Sequence, residues 1–177
     1  HLPVGRFPFG IITRDGEWWR HLQRDGEFEA LETLFIDEIS MVRSDVLDAL
    51  DHVLRTQGPN RDLPFGGVRV VALGDPLQLP PIEKDEHRPW FNGSNRNAWR
   101  SPWFFEARAW HAAHFKVLEL TVNHRQHQDA EYAQLLHWAR VGDLIDSHHE
   151  ALRSLSRPLA KDHSALRVMC TNRQVAD

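Results

Sequence analysis

LFIDEISMVRSDVLDALDHVLRTQGPNRDLPFGGVRVVALGDPLQLPPI, running from Leu34 to Ile82, contains two apolar runs that each stop on an acid. Leu34, Phe35 and Ile36 end at Asp37 and Glu38, as a buried parallel strand does on reaching the edge of its sheet. Val68 and Val70 to Leu73 follow the Gly66, Gly67 turn and end at Gly74 and Asp75. Between them Val46, Leu47, Leu50, Val53 and Leu54 recur at helical spacing. Ser44 is placed to cap that helix, Asp45 and Asp48 lie in its first turn, and Gly58 and Pro59 stop it. Two strands with acidic tips and a helical crossover predict a parallel βαβ unit, and so an α/β fold. Ligands of such sheets bind at the carboxyl ends of the strands.

Outward from this core the pattern is less regular. Residues 1–29 read as loop, with an aromatic pair at Trp18 and Trp19. Pro80 and Pro81 forbid an immediate helix, and Glu83 to Arg100 reads as a polar exposed loop. Ser101 and Pro102 predict the start of a short aromatic helix running towards His114, and Phe115 to Leu120 a third strand. Tyr132, Leu135, Leu136 and Ala139 predict a further helix with Gly142 as its stop, and Leu166 to Cys170 another strand.

With 177 residues, 41% of them hydrophobic and 26% charged, the chain has the composition of a globular protein. A formal net charge of -4 excludes a polycation that coats DNA through counterion release, so any nucleic-acid contact must be a local groove. Only Lys84, Lys116 and Lys161 among the 21 basic residues are lysines. The arginine excess suits bidentate phosphate contacts, and a GC-rich genome accounts for it equally well. One cysteine, Cys170, excludes an internal disulfide and a multi-thiolate metal site and fits a reducing, intracellular setting. No apolar run approaches the roughly 20 residues of a membrane span, and no signal peptide is visible.

An apolar strand ending in Asp37 and Glu38 meets the needs of a nucleotide hydrolase. One carboxylate holds Mg2+ beside the phosphates and the next orients or deprotonates water. Acidic pairs after strands are also common surface features, so the pair alone decides nothing. The second tip adds Gln78, a neutral amide able to sense a γ-phosphate without competing for the metal. Gly74 permits close backbone approach there, and Pro80 and Pro81 hold the following chain extended for contact with a nucleic-acid strand.

LFIDEISMV resembles helicase motif II, and GDPLQLPPI resembles motif III of the superfamily-one helicases. ISMVRSDVLDALDHVLR is similar to the signature segment of the PIF (petite integration frequency) type, and WFFEARAW and LELTVNHRQ follow in that family's order. TNRQVAD, at residues 171–177, resembles a later strand and turn of the second motor domain. The resemblance implies a RecA-like parallel sheet with flanking helices. Residues 1–115 would be part of motor domain 1, with motifs II and III, and residues 116–177 the start of motor domain 2, with motif IV. It implies that Asp37 binds Mg2+, that Glu38 is the catalytic base, and that Gln78 couples the γ-phosphate of ATP to the DNA path. Arg125 would reach the same phosphate as an arginine finger, and Asp75 would support the motif III loop. The activity implied is an ATP-dependent DNA helicase moving 5′-to-3′ on single-stranded DNA and opening duplex junctions in repair, recombination or telomere and genome maintenance. A monomer in the bacterial cytoplasm, or in a nucleus or mitochondrion, is expected.

One family element is absent from the chain. None of its lysines follows a glycine, so no G-x-x-x-x-G-K-[ST] phosphate loop cradles the β- and γ-phosphates. The chain therefore reads as a piece of a longer protein, expected to bind ATP poorly and to unwind nothing alone. Candidate DNA contacts are Pro80, Pro81 and the loop residues Arg88, Trp90, Phe91, Asn92, Asn95, Arg96, Asn97, Trp99 and Arg100, whose mix of bases and aromatics suits stacked single-stranded bases. Core packing is the competing reading for Trp99, Trp103, Phe104, Phe105 and Trp110, and burial is expected above all for Phe105 and Trp110. The histidine pairs His111 with His114, His124 with His127, and His148 with His149 lack the further ligands of a zinc site. The alternatives are a RecD-like or relaxase-type helicase, a non-catalytic helicase-derived scaffold, and a metal-dependent nuclease using Asp37, Glu38 and Asp75. The nuclease leaves Gln78 unexplained.

Overall fold

The computed structural model describes residues 28–94, 98–122, 124 and 129–156. Trp18, Trp19, Arg96, Arg125, the strand predicted at Leu166 to Cys170 and the segment 171–177 lie outside them. One compact unit runs to Thr121 and a second begins at Val122.

In the first unit, β1 (Thr33–Ile36) and β2 (Arg69–Ala72) form a parallel pair in which Leu34 faces Val70 and Ile36 faces Ala72. α1 (Ser44–Gln57) is the crossover between them. The βαβ reading of the sequence therefore holds. α1 ends where expected, with the Gly58 N–H bonded to the Leu54 carbonyl at 2.8 Å. The turn back into β2 brings Gly66, at φ 65°, so near that a Cβ there would lie 2.0 Å from the Leu54 oxygen. A side chain at Gly66 would have to displace the end of the helix.

Leu47, Val53 and Leu54 of α1 are buried with Ile39, Phe65, Val68, Phe104, Ala107 and Ala109 in one core. α2 (Arg108–Ala113) packs on it, and Phe115 closes it, stacked on Trp110 with ring centroids 4.4 Å apart. α1 buries polar residues as well, because neighbours surround it on more than one face. Each of its acids is matched. Asp45 accepts from Arg43 Nε and Nη2 at 2.9 and 2.7 Å, and Asp51 from Arg55 Nε and the Phe65 N–H. Asp48 accepts from Trp99 Nε1 and the Ala109 N–H, each at 2.8 Å.

Four sequence readings are corrected here. Ser44 does not cap α1, because it is already the first helical residue and Arg43 stands at the N-cap position; its hydroxyl donates instead to the Ser101 carbonyl at 3.0 Å. Ser101 and Pro102 start no helix. Their carbonyls accept from Ser44, and Trp103 bridges antiparallel to Arg43, so this stretch is extended until a 3-10 turn at Phe104–Glu106. Phe105 is 38% exposed and Phe104 takes the core position instead, while Trp110 packs against the core as expected. No strand forms over Phe115 to Leu120. Beyond Phe115 the segment pairs with nothing among the described residues, and Val117, Leu118 and Leu120 are exposed.

The second unit contains the predicted helix as α3 (Ala130–Val141), capped by the Asp129 carboxylate on the Tyr132 N–H and ended by Gly142 at φ 76°. α4 (Asp146–Ser154) follows, and His148 at its start stacks on Trp138 of α3 with centroids 3.8 Å apart.

Asp48 gives the first unit a pH signature. Burial is the largest influence on its carboxyl and raises it above the ordinary 3.8; the bonds from Ala109 and Trp99 and the charge of Arg108 oppose that rise, and Asp51 adds to it. The native state therefore keeps this proton at pH values where the unfolded chain has lost it. The Asp48 contribution to stability is full below pH 3.8 and is lost as pH rises through the native-state value. In denaturant titrations, wild-type stability minus that of Asp48→Asn is expected to grow as pH falls towards 3.8. A flat difference would remove burial as the dominant influence.

Candidate active site

The two acidic tips meet at the carboxyl end of the sheet. The Leu73 N–H bonds to the Ile36 carbonyl at 2.8 Å and the Ile39 N–H returns to the Leu73 carbonyl at 2.9 Å, so the chain after β1 is laced to the chain after β2. Gly74 makes this approach possible. A Cβ there would stand 2.9 Å from the Ile39 nitrogen and 3.2 Å from the Ser40 nitrogen.

Asp37 and Glu38 are both exposed at this end. Glu38 holds the left-handed conformation, φ 52° and ψ 47°, and its N–H bonds to Asp37 Oδ1 at 2.9 Å. Non-glycine residues rarely take this conformation, and such strain concentrates at functional sites. The turn at Ile39–Met41, with Ile39 and Ser40 buried, anchors the acids from behind.

At the second tip, Asp75 accepts from the Leu77 N–H at 3.0 Å and from Gln78 Nε2 at 3.4 Å, and its carbonyl accepts the Gln78 N–H at 3.0 Å. Asp75 therefore shapes the loop around the exposed Gln78. Pro80 is exposed, but Pro81 is buried and is an anchor of the chain rather than a contact surface.

Among the described residues no cluster of three or more His, Cys, Asp or Glu could hold a metal. Mg2+ does not need one, since it takes one or two carboxylates and completes its shell with phosphate oxygens and water. An exposed hard-oxygen donor at a strand tip, as Asp37 is, fits that ion.

The DNA-contact candidates separate. Arg88 is exposed on a 3-10 turn at Asp85–Trp90 and pairs with the exposed Asp85 at 3.1 Å and the half-buried Glu83 at 3.5 Å; the exposed pair costs little to exchange for a phosphate. Trp90 is half-buried. Trp99 is corrected from a stacking surface to an anchor. It is 6% exposed, packs tilted against Phe91, and donates its indole N–H to Asp48. Sequence reasoning missed the residues that hold this region to α1, namely Arg43, Asp45, Asp48 and the buried His87. The only trace in the sequence was acids at three-residue spacing, Asp45, Asp48 and Asp51, within an apolar helix.

The family model of the PIF1-like helicases matches residues 19–147. The chain belongs to that family. The match selects the PIF-type reading over the RecD-like and relaxase-type alternatives. The chain is 34% identical over 143 residues to the ATP-dependent DNA helicase PIF1 of Saccharomyces cerevisiae, covering 81% of this chain and 15% of the relative. With the ATP-dependent DNA helicase RRM3 of the same species it shares 36% identity over 129 residues, 72% of this chain and 16% of the relative. A Bacteroides Pif1 helicase solved with ADP-AlF3 and single-stranded DNA superposes with a TM-score of 0.71 at 30% identity, over 89% of this chain and 36% of the solved one. The fold of this PIF1-like chain is accordingly RecA-like. It spans roughly a sixth of these curated relatives.

Proposed function

We propose that this chain supplies the hydrolysis residues of an ATP-dependent DNA helicase. The observation that carries the reading is the lacing of the two strand tips, which sets Asp37 and Glu38 at the same end of the sheet as the loop of Gln78. Asp37 holds Mg2+ on the ATP phosphates. Glu38 takes a proton from the attacking water, and Gln78 links the γ-phosphate to the DNA path. Arg125, carried over from motif IV, completes the charge on that phosphate from motor domain 2, with domain 1 ending near residue 115. Mg2+ held by Asp37 would supply positive charge beside the phosphates. Translocation is 5′-to-3′ on single-stranded DNA, acting at duplex junctions in genome maintenance, by a monomer in an intracellular compartment. The relatives' names, their ssDNA complex and the intact motifs support these assignments. No helix among the described residues is long and apolar enough to cross a membrane.

The test is hydrolysis by the full-length protein with and without single-stranded DNA. Stimulation is expected, and Gln78→Ala is expected to lower the stimulated rate about tenfold, as losing one polar contact to the transition state does. A rate indifferent to DNA would overturn the helicase reading, and no hydrolysis at all would favour the scaffold. The 177-residue chain alone, titrated with ATP and Mg2+ in a calorimeter, should show no micromolar site, because it lacks the phosphate-cradling lysine loop.

A further inference from the structure

Arg43 follows the turn that anchors the acidic pair, and its guanidinium reaches in two directions. Nε and Nη2 grip Asp45, which is fully buried in the first turn of α1, while Nη1 lies 3.1 Å from His87 Nδ1. The group also sits 5.6 Å from the centre of the Phe91 ring. His87 is 4% exposed and belongs to the 3-10 turn Asp85–Trp90, which carries Arg88 and Trp90. Arginine can only donate, so His87 Nδ1 accepts and the ring is neutral, with its proton on Nε2 facing Glu86 Oε1 at 3.4 Å. Arg43 is itself fixed to the chain after the loop, through the Arg43–Trp103 bridge and the bond from the Ser44 N–H to the Pro102 carbonyl.

We propose that the Arg43–His87 bond fixes the Asp85–Trp90 turn to the segment behind the hydrolysis acids, so that Arg43 and His87 are positioning residues for single-stranded DNA. His87 is 4% exposed and the Arg43 side chain 14%, so both act through the turn. The buried acceptor on His87 holds the turn, and the turn presents Arg88. The inference rests on the helicase reading above, and its test separates the two.

The measurement is DNA-stimulated ATP hydrolysis by the full-length protein, with the half-saturating DNA concentration read apart from the basal rate and the KM for ATP. His87→Phe keeps a ring but removes the acceptor. It is expected to raise the half-saturating DNA concentration about tenfold, the loss of a bond to a charged donor, with basal rate and KM for ATP within about twofold of wild type. His87→Gln restores an acceptor and is expected to return the DNA concentration to within about twofold. An unchanged DNA concentration in His87→Phe overturns the proposal. So does failure of His87→Gln to rescue, which would make ring volume the cause, or an equal fall in basal rate, which would make the role structural. Absence of any DNA stimulation in the wild type would instead overturn the helicase reading.

Discussion

Replacing Glu38 by Gln in the full-length protein is expected to lower ATP turnover by about 10²- to 10⁴-fold while ATP still binds. The substitution keeps the size of the side chain and its exposed place at the strand tip. It also leaves intact the bond from the residue 38 N–H to Asp37 Oδ1, which uses the backbone alone. What disappears is the capacity to take a proton from water. Backbone strain does not distinguish the two side chains, since φ 52° next to the lacing of Ile39 and Leu73 is equally uncomfortable for Glu and Gln. Phosphate release and binding of a fluorescent ATP analogue, measured on the same preparation, separate chemistry from binding. Full turnover in the variant would remove Glu38 from its role and return the acidic pair to a surface feature.

The acidic pair was legible because a strand that stops on Asp and Glu is a local pattern. The βαβ unit was legible for the same reason. Its period changes from continuous apolar to helical and back within one stretch, and Gly58, Gly66 and Gly67 punctuate the return from the helix to the second strand. Phe115 to Leu120 shows the limit. Its composition is that of a strand, but a parallel strand exists only through its neighbours, and among the described residues it has none. Ser44 and Ser101 show the same limit: each has the right residue type for a cap, and a tertiary contact joins the Ser44 hydroxyl to the Ser101 carbonyl instead.

The candidate site divides along that line. Asp37, Glu38, Gln78 and Asp75 sit at tips whose geometry the adjacent strands dictate, so reading the strands located them. Trp99 sits in a loop tied to α1, far away in sequence, and composition alone could not tell a ring offered to DNA from a ring bonded to Asp48. Composition suggested an exposed aromatic loop, whereas the structure ties that loop at His87 and Trp99 to the first two turns of α1.

Asp51→Ala is expected to lower stability by about 3 kcal/mol. Asp51 is 8% exposed and bonds α1 to the turn that feeds β2. Its carboxylate accepts the Phe65 N–H at 2.6 Å, at a residue held in the left-handed conformation with φ 51°, and it receives Arg55 Nε at 2.8 Å. Alanine would leave the buried Phe65 N–H without its acceptor at the turn that feeds β2. Phe65, one of the largest fully buried side chains, would lose the constraint that points it under α1. Arg55 suffers less, since it also donates to the Arg61 and Asp62 carbonyls. Asp51→Asn separates the two causes, because it keeps an oxygen for Phe65 and surrenders only the charge. If the amide variant unfolds in urea nearly where the wild type does and the alanine variant well below it, the N–H bond is the larger part. If both fall equally, the ion pair with Arg55 matters more than its partial exposure implies, and a loss below about 0.5 kcal/mol in Asp51→Ala would show that the turn holds without it.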